Sequence, residues 1–500
     1  MLGLMLFLMM ISGNVYDYTP MTVNTDPNYH EGTYEEWLAG QPDYEPFEVR
    51  TISGTDGAEF LLIFEEGLTD SLTPGLLDQW TTDIQSGGLS TEVVEVTYSQ
   101  AEELKTYLQE KYSQGMQGAV LVGNLPTAWC ALEDAKEANQ SGETFPADYF
   151  YMELDGIWLD NWIGYPFMGN PGSDGMYDTF SGSLDPEIYV GRIRIDNLSA
   201  LGDPTEILCT YLERNHDWRI NGDPEPLTAL CYVDDDWAPW APSYQAAMQY
   251  LYPSTELVSD EAQTNGTDYI ENRLPAEYVW ISPFVHSNAG GHYWSPGPTT
   301  LWNQLVPALP HARFYNLFAC SNCRFTTVHC MGSVYSLCTG SGLGAVGSTK
   351  SGAMLNFNPF YLPLADGSSL GEAYRDWWEY IASGGLTPGE KSWHLGMVLL
   401  GDPSLMPAMH ILGIEEGVPP ETALSISLSG NPCTGSVTVS LHGGETGIVE
   451  IYDISGRLSA TGELTGSECT VDLRDLASGC YIVRVSSDSG TASAALTLID

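Results

Sequence analysis

The first half of the chain alternates short apolar runs with segments of helical character. Three apolar runs, at residues 58–64, 92–98 and 118–122, have the length and composition of buried strands. The two segments between them, 74–86 and 100–114, have the patterns of helices. The order strand, helix, strand, helix, strand predicts a parallel sheet flanked by helices.

The pattern changes completely near the C-terminus. The α/β signals extend through residues 186–412 and stop at a segment rich in Gly, Glu and Pro, residues 413–420. Beyond it, short runs alternate apolar with polar residues and are separated by Gly and Ser. This alternation predicts a small antiparallel β-sandwich over residues 421–500.

Two features of composition restrict the function. The chain carries 66 acidic and 17 basic residues, for a net charge of −49. Nucleic-acid binding is excluded on this ground, because phosphate contacts need clustered Lys and Arg. A nearly unbroken apolar run at the start, closed by Ser12 and Gly13, predicts a signal peptide. No later run reaches the length of a membrane span, so we expect an exported protein with no transmembrane segment.

The candidate chemistry lies at the ends of two apolar runs. The run 314–319 ends on Cys320, and the run 278–285 ends on His286; turn-forming residues follow each. If the two strands are neighbours, a thiol and an imidazole emerge at the same edge of the sheet. A cysteine nucleophile and its base require this arrangement. His292, which follows two glycines, is the alternative base.

Four motifs resemble the gingipain family of cysteine peptidases. Residues 319–325 resemble its nucleophile segment, and 342–349 resemble its next core strand. Residues 400–405 resemble the Gly-Asp-Pro-Ser-Leu signature that closes its catalytic domain, and 187–192 resemble the segment that carries its supporting acid. The resemblance implies a caspase-like fold, in which a mostly parallel sheet has helices on both faces.

The resemblance also implies roles for individual residues. Cys320 would attack a peptide carbonyl, His286 would hold and then deliver the proton, and Glu187 would orient His286. Backbone N–H groups of Cys320 and Ser287 would bind the oxyanion, although Ser287 stands where the family has Gly. Asp196 is the candidate acid of a specificity pocket. The implied substrates are proteins or peptides, and no cofactor is required.

The C-terminal segment resembles a second family. Asn431-Pro432 and the segments 451–457 and 473–483 are similar to the C-terminal sorting domain of proteins exported by the type IX secretion system. The resemblance implies a secreted or cell-surface protein whose partner is the secretion machinery. A carbohydrate-binding or adhesive β-domain is the other interpretation of this segment.

Two other functions remain open for the central region. The chain could be an inactive member of the peptidase family that serves as a surface or adhesive protein, with Ser287 as the disabling feature. Alternatively, Cys320 and Cys323 could join His329 and Cys330 in a metal or redox site, because CxxC spacing suits both zinc and disulfide exchange.

Calcium is the one metal that the acidic loops suggest. The segment 153–178 is rich in Asp, Gly and Asn, and Asp155, Asp160 and Asp174 offer the hard oxygen ligands that calcium takes. The run 234–236 is a second candidate. The spacing does not match an EF-hand loop, so a solvated acidic loop is the favoured interpretation of both segments and structural calcium is the alternative.

These patterns together divide the chain into six parts. The predicted boundaries are a signal peptide at 1–13, an N-terminal arm or linker at 14–50, an N-terminal α/β subdomain at 51–200, a catalytic caspase-like subdomain at 201–412, a linker at 413–420 and a sorting domain at 421–500.

Overall fold

The computed structural model describes residues 31–132, 143–161, 173–223, 227–408 and most of 425–498. The chain divides into two compact units between residues 411 and 412. The predicted signal peptide and the predicted linker at 413–420 lie outside the described residues, as does the predicted arm up to residue 30.

An 11-stranded sheet forms the centre of the first unit, in the order β1-β3-β2-β4-β9-β18-β17-β16-β12-β10-β11. The strands of this unit, in chain order, are β1 Val49–Gly54, β2 Phe60–Glu65, β3 Thr91–Val96, β4 Gly118–Val122, β5 Trp129–Leu132, β6 Glu143–Pro146, β7 Ile157–Leu159, β8 Thr179–Ser181, β9 Tyr189–Ile193, β10 Thr228–Val233, β11 Ser254–Val258, β12 Trp280–Phe284, β13 His286–Asn288, β14 Gly291–Tyr293, β15 Thr300–Leu301, β16 Phe314–Asn316, β17 Gly344–Ser348 and β18 Met397–Gly401.

Helices flank this sheet. They are Tyr34–Leu38, Leu76–Ser86, Ala101–Ser113, Tyr149–Met152, Pro204–Asn221, Ala241–Met248, Gly266–Asp268, Trp302–Leu305, Met331–Ser333, Asn358–Ala365, Leu370–Ala382 and Pro388–His394. None of the helices in the described part of the chain is long and apolar enough to cross a membrane.

The sheet is mostly parallel, as the sequence pattern predicted. Neighbouring strands are antiparallel at β1–β3 and at β17–β18. Strands β2, β3, β4 and β9 are parallel neighbours, and so are β10, β12, β16 and β17. Strand β4 is buried along its whole length, which explains why it reads as an unbroken apolar run. The α/β fold class is confirmed, and the sheet continues across the predicted subdomain boundary at residue 200.

The Gly-Asp-Pro-Ser-Leu motif after β18 anchors the fold. The buried carboxylate of Asp402 accepts hydrogen bonds from Trp80 Nε1 at 2.7 Å and Asn215 Nδ2 at 2.8 Å. It also pairs with Arg219 at 2.8 Å and accepts from Ser404 Oγ at 2.6 Å. Burial alone would raise the pKa of Asp402, but Arg219 and these donors hold it below the usual value. The motif is therefore a buried charged junction between distant segments.

The second unit is a separate all-β structure. Its strands are β19 Ser425–Ser429, β20 Ser436–His442, β21 Gly447–Asp453, β22 Leu458–Leu464, β23 Glu468–Asp472, β24 Gly479–Ser487 and β25 Gly490–Leu498. They form a three-stranded and a four-stranded sheet, and every pair within them is antiparallel. Both sheets contribute to one hydrophobic core that includes Val439, Val471 and Val485. The predicted small antiparallel β-sandwich is confirmed.

Candidate active site

Strand register brings the chain at Cys320 and the chain at His286 to the same edge of the sheet. Strands β12 and β16 are parallel neighbours, in which Trp280 pairs with Phe314. The same offset is kept at Phe284, which pairs with Phe318. Cys320 and His286 each stand two residues beyond that last pair, so the offset matches them as well. His286 begins β13 just after β12 ends, and Cys320 lies in the turn that follows β16, so both residues emerge at the edge where these parallel strands end.

A carboxylate holds one nitrogen of the His286 ring. Nε2 lies 2.7 Å from Oδ2 of Asp236. The indole of Trp237 packs against the ring, with 4.5 Å between the ring centroids. Among the described residues, the buried Nδ1 atom has no hydrogen-bond partner, so the ring and Cys320 are not hydrogen-bonded to each other. If Nε2 carries the proton that is donated to Asp236, Nδ1 presents a lone pair and can act as a base.

Asp236 is the partner of His286 that the sequence argument missed. It follows β10, which is parallel to β12, with Val233 paired to Phe284. Asp236 and His286 therefore extend from neighbouring strands at the same edge of the sheet. The run 234–236 drew attention only as a calcium candidate. Its position directly after a buried apolar run was the signal that could have identified it, because the same signal identified Cys320 and His286.

The Cys320 thiol is partly buried, and this environment favours its protonated form. Burial raises the pKa of Cys320 to about 11, and the carboxylates of Glu143 and Glu31 act in the same direction. A hydrogen bond from the backbone of Gly352 and the charge of Lys350 oppose the rise without cancelling it. At neutral pH the sulfur is therefore a thiol that needs a base before it can attack.

The turn after Cys320 is fixed to the neighbouring strand. Ser321 has a positive φ of 55°, which reverses the chain direction immediately after the thiol. The backbone N–H of Ser321 donates to Lys350 O at 2.8 Å, and that of Cys323 donates to Ser348 O at 2.9 Å. These bonds to the end of β17 hold the Cys320 turn at the edge of the sheet.

His292, the alternative base, lies in a buried network. Its Nδ1 atom is 2.8 Å from Ser287 Oγ, and its Nε2 atom is 3.0 Å from the Tyr335 hydroxyl. Complete burial lowers the pKa of His292 to about 3, so its ring is neutral. Ser287, which is 2% exposed, directs its hydroxyl toward His292 and the carbonyl of Val285. The Ser287 side chain is therefore turned into the interior of the protein, toward His292.

Glu187, the acid implied by the resemblance, lies in a different place. It precedes β9, and three strands separate β9 from β12 in the sheet, a distance of about 19 Å at the usual strand spacing. The backbone N–H of Leu154 donates to its carboxylate at 2.5 Å. Burial raises the pKa of Glu187 to about 7, and Asp155 and Glu153 contribute to the rise. The structure places Asp236, and not Glu187, within hydrogen-bonding distance of His286.

The other predicted acidic residues are distributed over the surface. Asp196 pairs with Arg194 at 2.7 Å. Asp155 lies with Glu187 in a three-carboxylate group whose oxygens are within 4.8 Å of one another. Asp160 accepts from the backbone N–H of Asp174 at 3.0 Å. The structure thus places Asp160 beside Asp174, whereas Asp155 lies with Glu153 and Glu187. Calcium binding stays a prediction.

The residues of the alternative metal or redox site form no group of close metal ligands in the described part of the chain. The nine cysteines whose side chains the structure describes are free thiols. Cys323 is completely buried, and its sulfur packs so closely on Gly332 and Gly347 that a Cβ at either glycine would lie within 2.7 Å of it. Among the described residues, the group of potential ligands that lies close enough to hold a metal contains no Cys or His.

Comparison with known proteins gives one family match. Residues 430–498 match the model of the secretion system C-terminal sorting domain. The C-terminal unit is therefore a sorting domain, and the protein is secreted or attached to the cell surface. A search of curated proteins finds no match for the chain.

Two solved structures resemble the chain distantly. One is the crystal structure of the Arg-specific cysteine proteinase gingipain R, which is 13% identical, with a TM-score of 0.47 over 90% of this chain and 100% of that one. The other is a complex of the Porphyromonas gingivalis RgpB pro- and mature domains, also 13% identical, with a TM-score of 0.46 over 88% of this chain and 100% of that one.

Proposed function

We propose that this secreted or surface-attached protein is a cysteine endopeptidase. Cys320 is the nucleophile, His286 is the base, and Asp236 is the carboxylate that orients the base. The observation that carries the proposal is the register of β12 and β16, which matches Cys320 with His286 while Asp236 holds the opposite side of the ring. A nucleophile, its base and an orienting group are the three parts of such a site.

The hydrogen bonds of His286 indicate which group carries the proton at each step of the proposed reaction. As the sulfur of Cys320 attacks the peptide carbonyl, its proton moves to Nδ1 of His286, and Asp236 stabilises the imidazolium that forms. The imidazolium then gives this proton to the leaving amine as the C–N bond breaks, which leaves a thioester on Cys320. Water, deprotonated by His286, hydrolyses the thioester and restores the free thiol. Backbone N–H groups of Cys320 and Ser287 remain the candidate oxyanion donors.

The first experiment compares hydrolysis of a quenched fluorescent peptide library by the full chain and by three variants. Cys320→Ala and His286→Ala should abolish hydrolysis and leave the melting temperature nearly unchanged. Cys209→Ala, which removes a partly buried thiol from the helix Pro204–Asn221, is the matched control and should retain full activity. Full activity in Cys320→Ala would refute the proposal.

A specific observation also supports a second candidate function. The raised pKa of Cys320 and the missing hydrogen bond between its thiol and His286 are features of an inactive peptidase fold that serves as a surface or adhesive protein. The two functions differ in thiol reactivity. A peptidase-type Cys320 reacts with an electrophilic peptide such as a chloromethyl ketone in a manner that depends on His286. An inactive protein would show no such dependence.

A further inference from the structure

A carboxylate from the N-terminal arm is seated between the two loops of the candidate site. Ser321 Oγ donates to Oε2 of Glu31 at 3.1 Å. The backbone N–H of Ala289 donates to the same carboxylate, and the guanidinium of Arg324 attracts it. Ser321 directly follows the nucleophile, and Ala289 is three residues beyond His286. The Glu31 side chain therefore lies where a substrate side chain would have to pass.

The main chain of the arm is held at the same place. Thr327 Oγ1 donates to the carbonyl oxygen of Glu31 at 2.9 Å, and Arg324 Nη2 donates to the carbonyl oxygen of Gly32 at 3.1 Å. The loop that follows Cys320 thus binds both the side chain and the backbone of residues 31 and 32. This combination of contacts is how peptidase clefts bind extended peptides.

The pocket that receives the carboxylate contains one buried cation, Arg324. Burial raises the pKa of Glu31 and Glu143 adds to the rise, whereas Arg324, Ser321 and the Ala289 N–H act to lower it. Arg324 is 3% exposed, and its Nη1 atom donates to the carbonyl oxygens of Thr144 at 2.9 Å and Thr349 at 3.2 Å. The guanidinium also lies over the indole of Trp129, 5.2 Å from the ring centroid. A fixed guanidinium, a hydroxyl and a backbone N–H are the donors that recognise a carboxylate.

We propose that Ala289, Ser321 and Arg324 form a subsite that binds an acidic side chain of the peptide substrate, and that Glu31 occupies this subsite in the intact chain. The substrate class is therefore peptides that carry Glu or Asp next to the cleaved bond. A Lys or Arg side chain would meet the charge of Arg324 and be rejected. This inference deepens the proposed peptidase function and rests on it for the identity of the ligand.

The test measures binding, so that it does not require hydrolysis. Short blocked fluorescent peptides that differ only in a central Glu, Gln or Lys are titrated into full-length Cys320→Ala protein, with and without the added change Glu31→Ala. In the Glu31→Ala protein, the Glu peptide should bind about tenfold more tightly than the Gln peptide, the scale of one charge-assisted hydrogen bond. With Glu31 in place, its carboxylate fills the pocket, and the Glu peptide should bind severalfold more weakly.

Two further variants control for indirect effects. Glu35→Ala removes an exposed carboxylate from the same arm. Its affinities for the three peptides should equal those of the Cys320→Ala protein that retains Glu31. Ser321→Gly removes one donor while tolerating the positive φ, so it should reduce the preference for Glu over Gln severalfold. Melting curves establish that each variant is folded.

Three outcomes would overturn the inference. These are equal affinity of the Glu31→Ala protein for Glu and Gln peptides, no detectable binding of the Glu peptide to it, and the same result for Glu31→Ala as for Glu35→Ala. Failure of the proposed peptidase function is distinguished by a separate measurement. In that case, the Glu31→Ala protein with an intact Cys320 cleaves no member of the peptide library, whatever its binding preference.

Discussion

The pairing of His286 with Asp236 gives the sharpest test of the candidate site. Asp236→Asn removes the negative charge that lies 2.7 Å from Nε2 and keeps the shape of the side chain. Two opposite charges about 4 Å apart interact by about 1 kcal/mol in water and about 4 kcal/mol near a protein surface. Because the Asp236 side chain is 53% exposed, solvent screens the pair, and about 1–2 kcal/mol is the appropriate range.

The substitution has a second consequence. An amide can donate a hydrogen bond to Nε2, which moves the ring proton to Nδ1 and removes the lone pair that must accept the thiol proton. The lost charge alone corresponds to a factor of about 5–30 in rate. With the tautomer effect added, we expect kcat/KM for a cleaved library peptide to fall about 10- to 100-fold, mostly through kcat.

Two variants complete the experiment. Asp235→Asn removes the neighbouring charge but keeps an oxygen that can accept from the Asp236 backbone N–H, as Asp235 Oδ1 does at 2.8 Å, and it should retain nearly full activity. Glu187→Gln should also change kcat/KM by less than about twofold, because Glu187 contacts Leu154 and the neighbouring acids instead of His286. If Glu187→Gln is as damaging as Asp236→Asn, the assignment from geometry is wrong and the assignment from resemblance is right.

Four other predictions follow from the structure. His292→Leu should lower the free energy of unfolding, measured with denaturant, by about 1–3 kcal/mol, because buried hydrogen bonds are lost. It should leave kcat unchanged. A loss of kcat without a loss of stability would make His292 the base. The rate at which iodoacetamide alkylates Cys320 in His286→Ala protein should rise about tenfold per pH unit. The reason is that a pKa of about 11 leaves about one thiol in a thousand ionised at pH 8. A plateau in this rate near pH 8.5 would contradict the prediction. Cys323→Ser should leave the dithiothreitol dependence of activity unaltered, since the buried sulfur packs on glycines away from the cleft, and a changed dependence would indicate a disulfide with Cys320. A chain ending at residue 412 should keep its specific activity but remain inside a host that has the matching secretion system, and its export at normal levels would refute the sorting role.

The apolar patterns were sufficient to predict the elements of the fold. The predicted strand at 118–122 coincides with β4, and the predicted helix at 100–114 is observed as Ala101–Ser113. These predictions succeeded because strands that are buried on both faces need continuous apolar sequence. Boundaries were less certain where capping decides them. The helix predicted at 74–86 is observed only from Leu76 to Ser86, because Gly75 at its N-cap has a φ of 89° and lies outside the helical conformation.

The candidate site also has residues that the sequence predicted and one that it did not select. The sequence alone predicted Cys320 and His286 as the nucleophile and its base, because each terminates a buried apolar run and the ends of parallel strands meet at one edge. The alternation of short strands also predicted the C-terminal β-sandwich, and the resemblance of residues 431–432, 451–457 and 473–483 to the sorting-domain family predicted its role. The sequence did not select the carboxylate: among 66 acidic residues, neither composition nor spacing distinguishes Asp236 from Glu187.

Only the tertiary structure could make that choice. Asp236 reaches His286 because β10 lies beside β12, whereas Glu187 precedes β9, which three other strands separate from β12 in the sheet. The burial of His292 and the seat of Glu31 beside Ser321 were equally inaccessible to the sequence. Hydrogen bonds and electrostatic attraction act over a few ångströms, and which residues lie that close is fixed by the order of the strands in the sheet and not by their order in the chain.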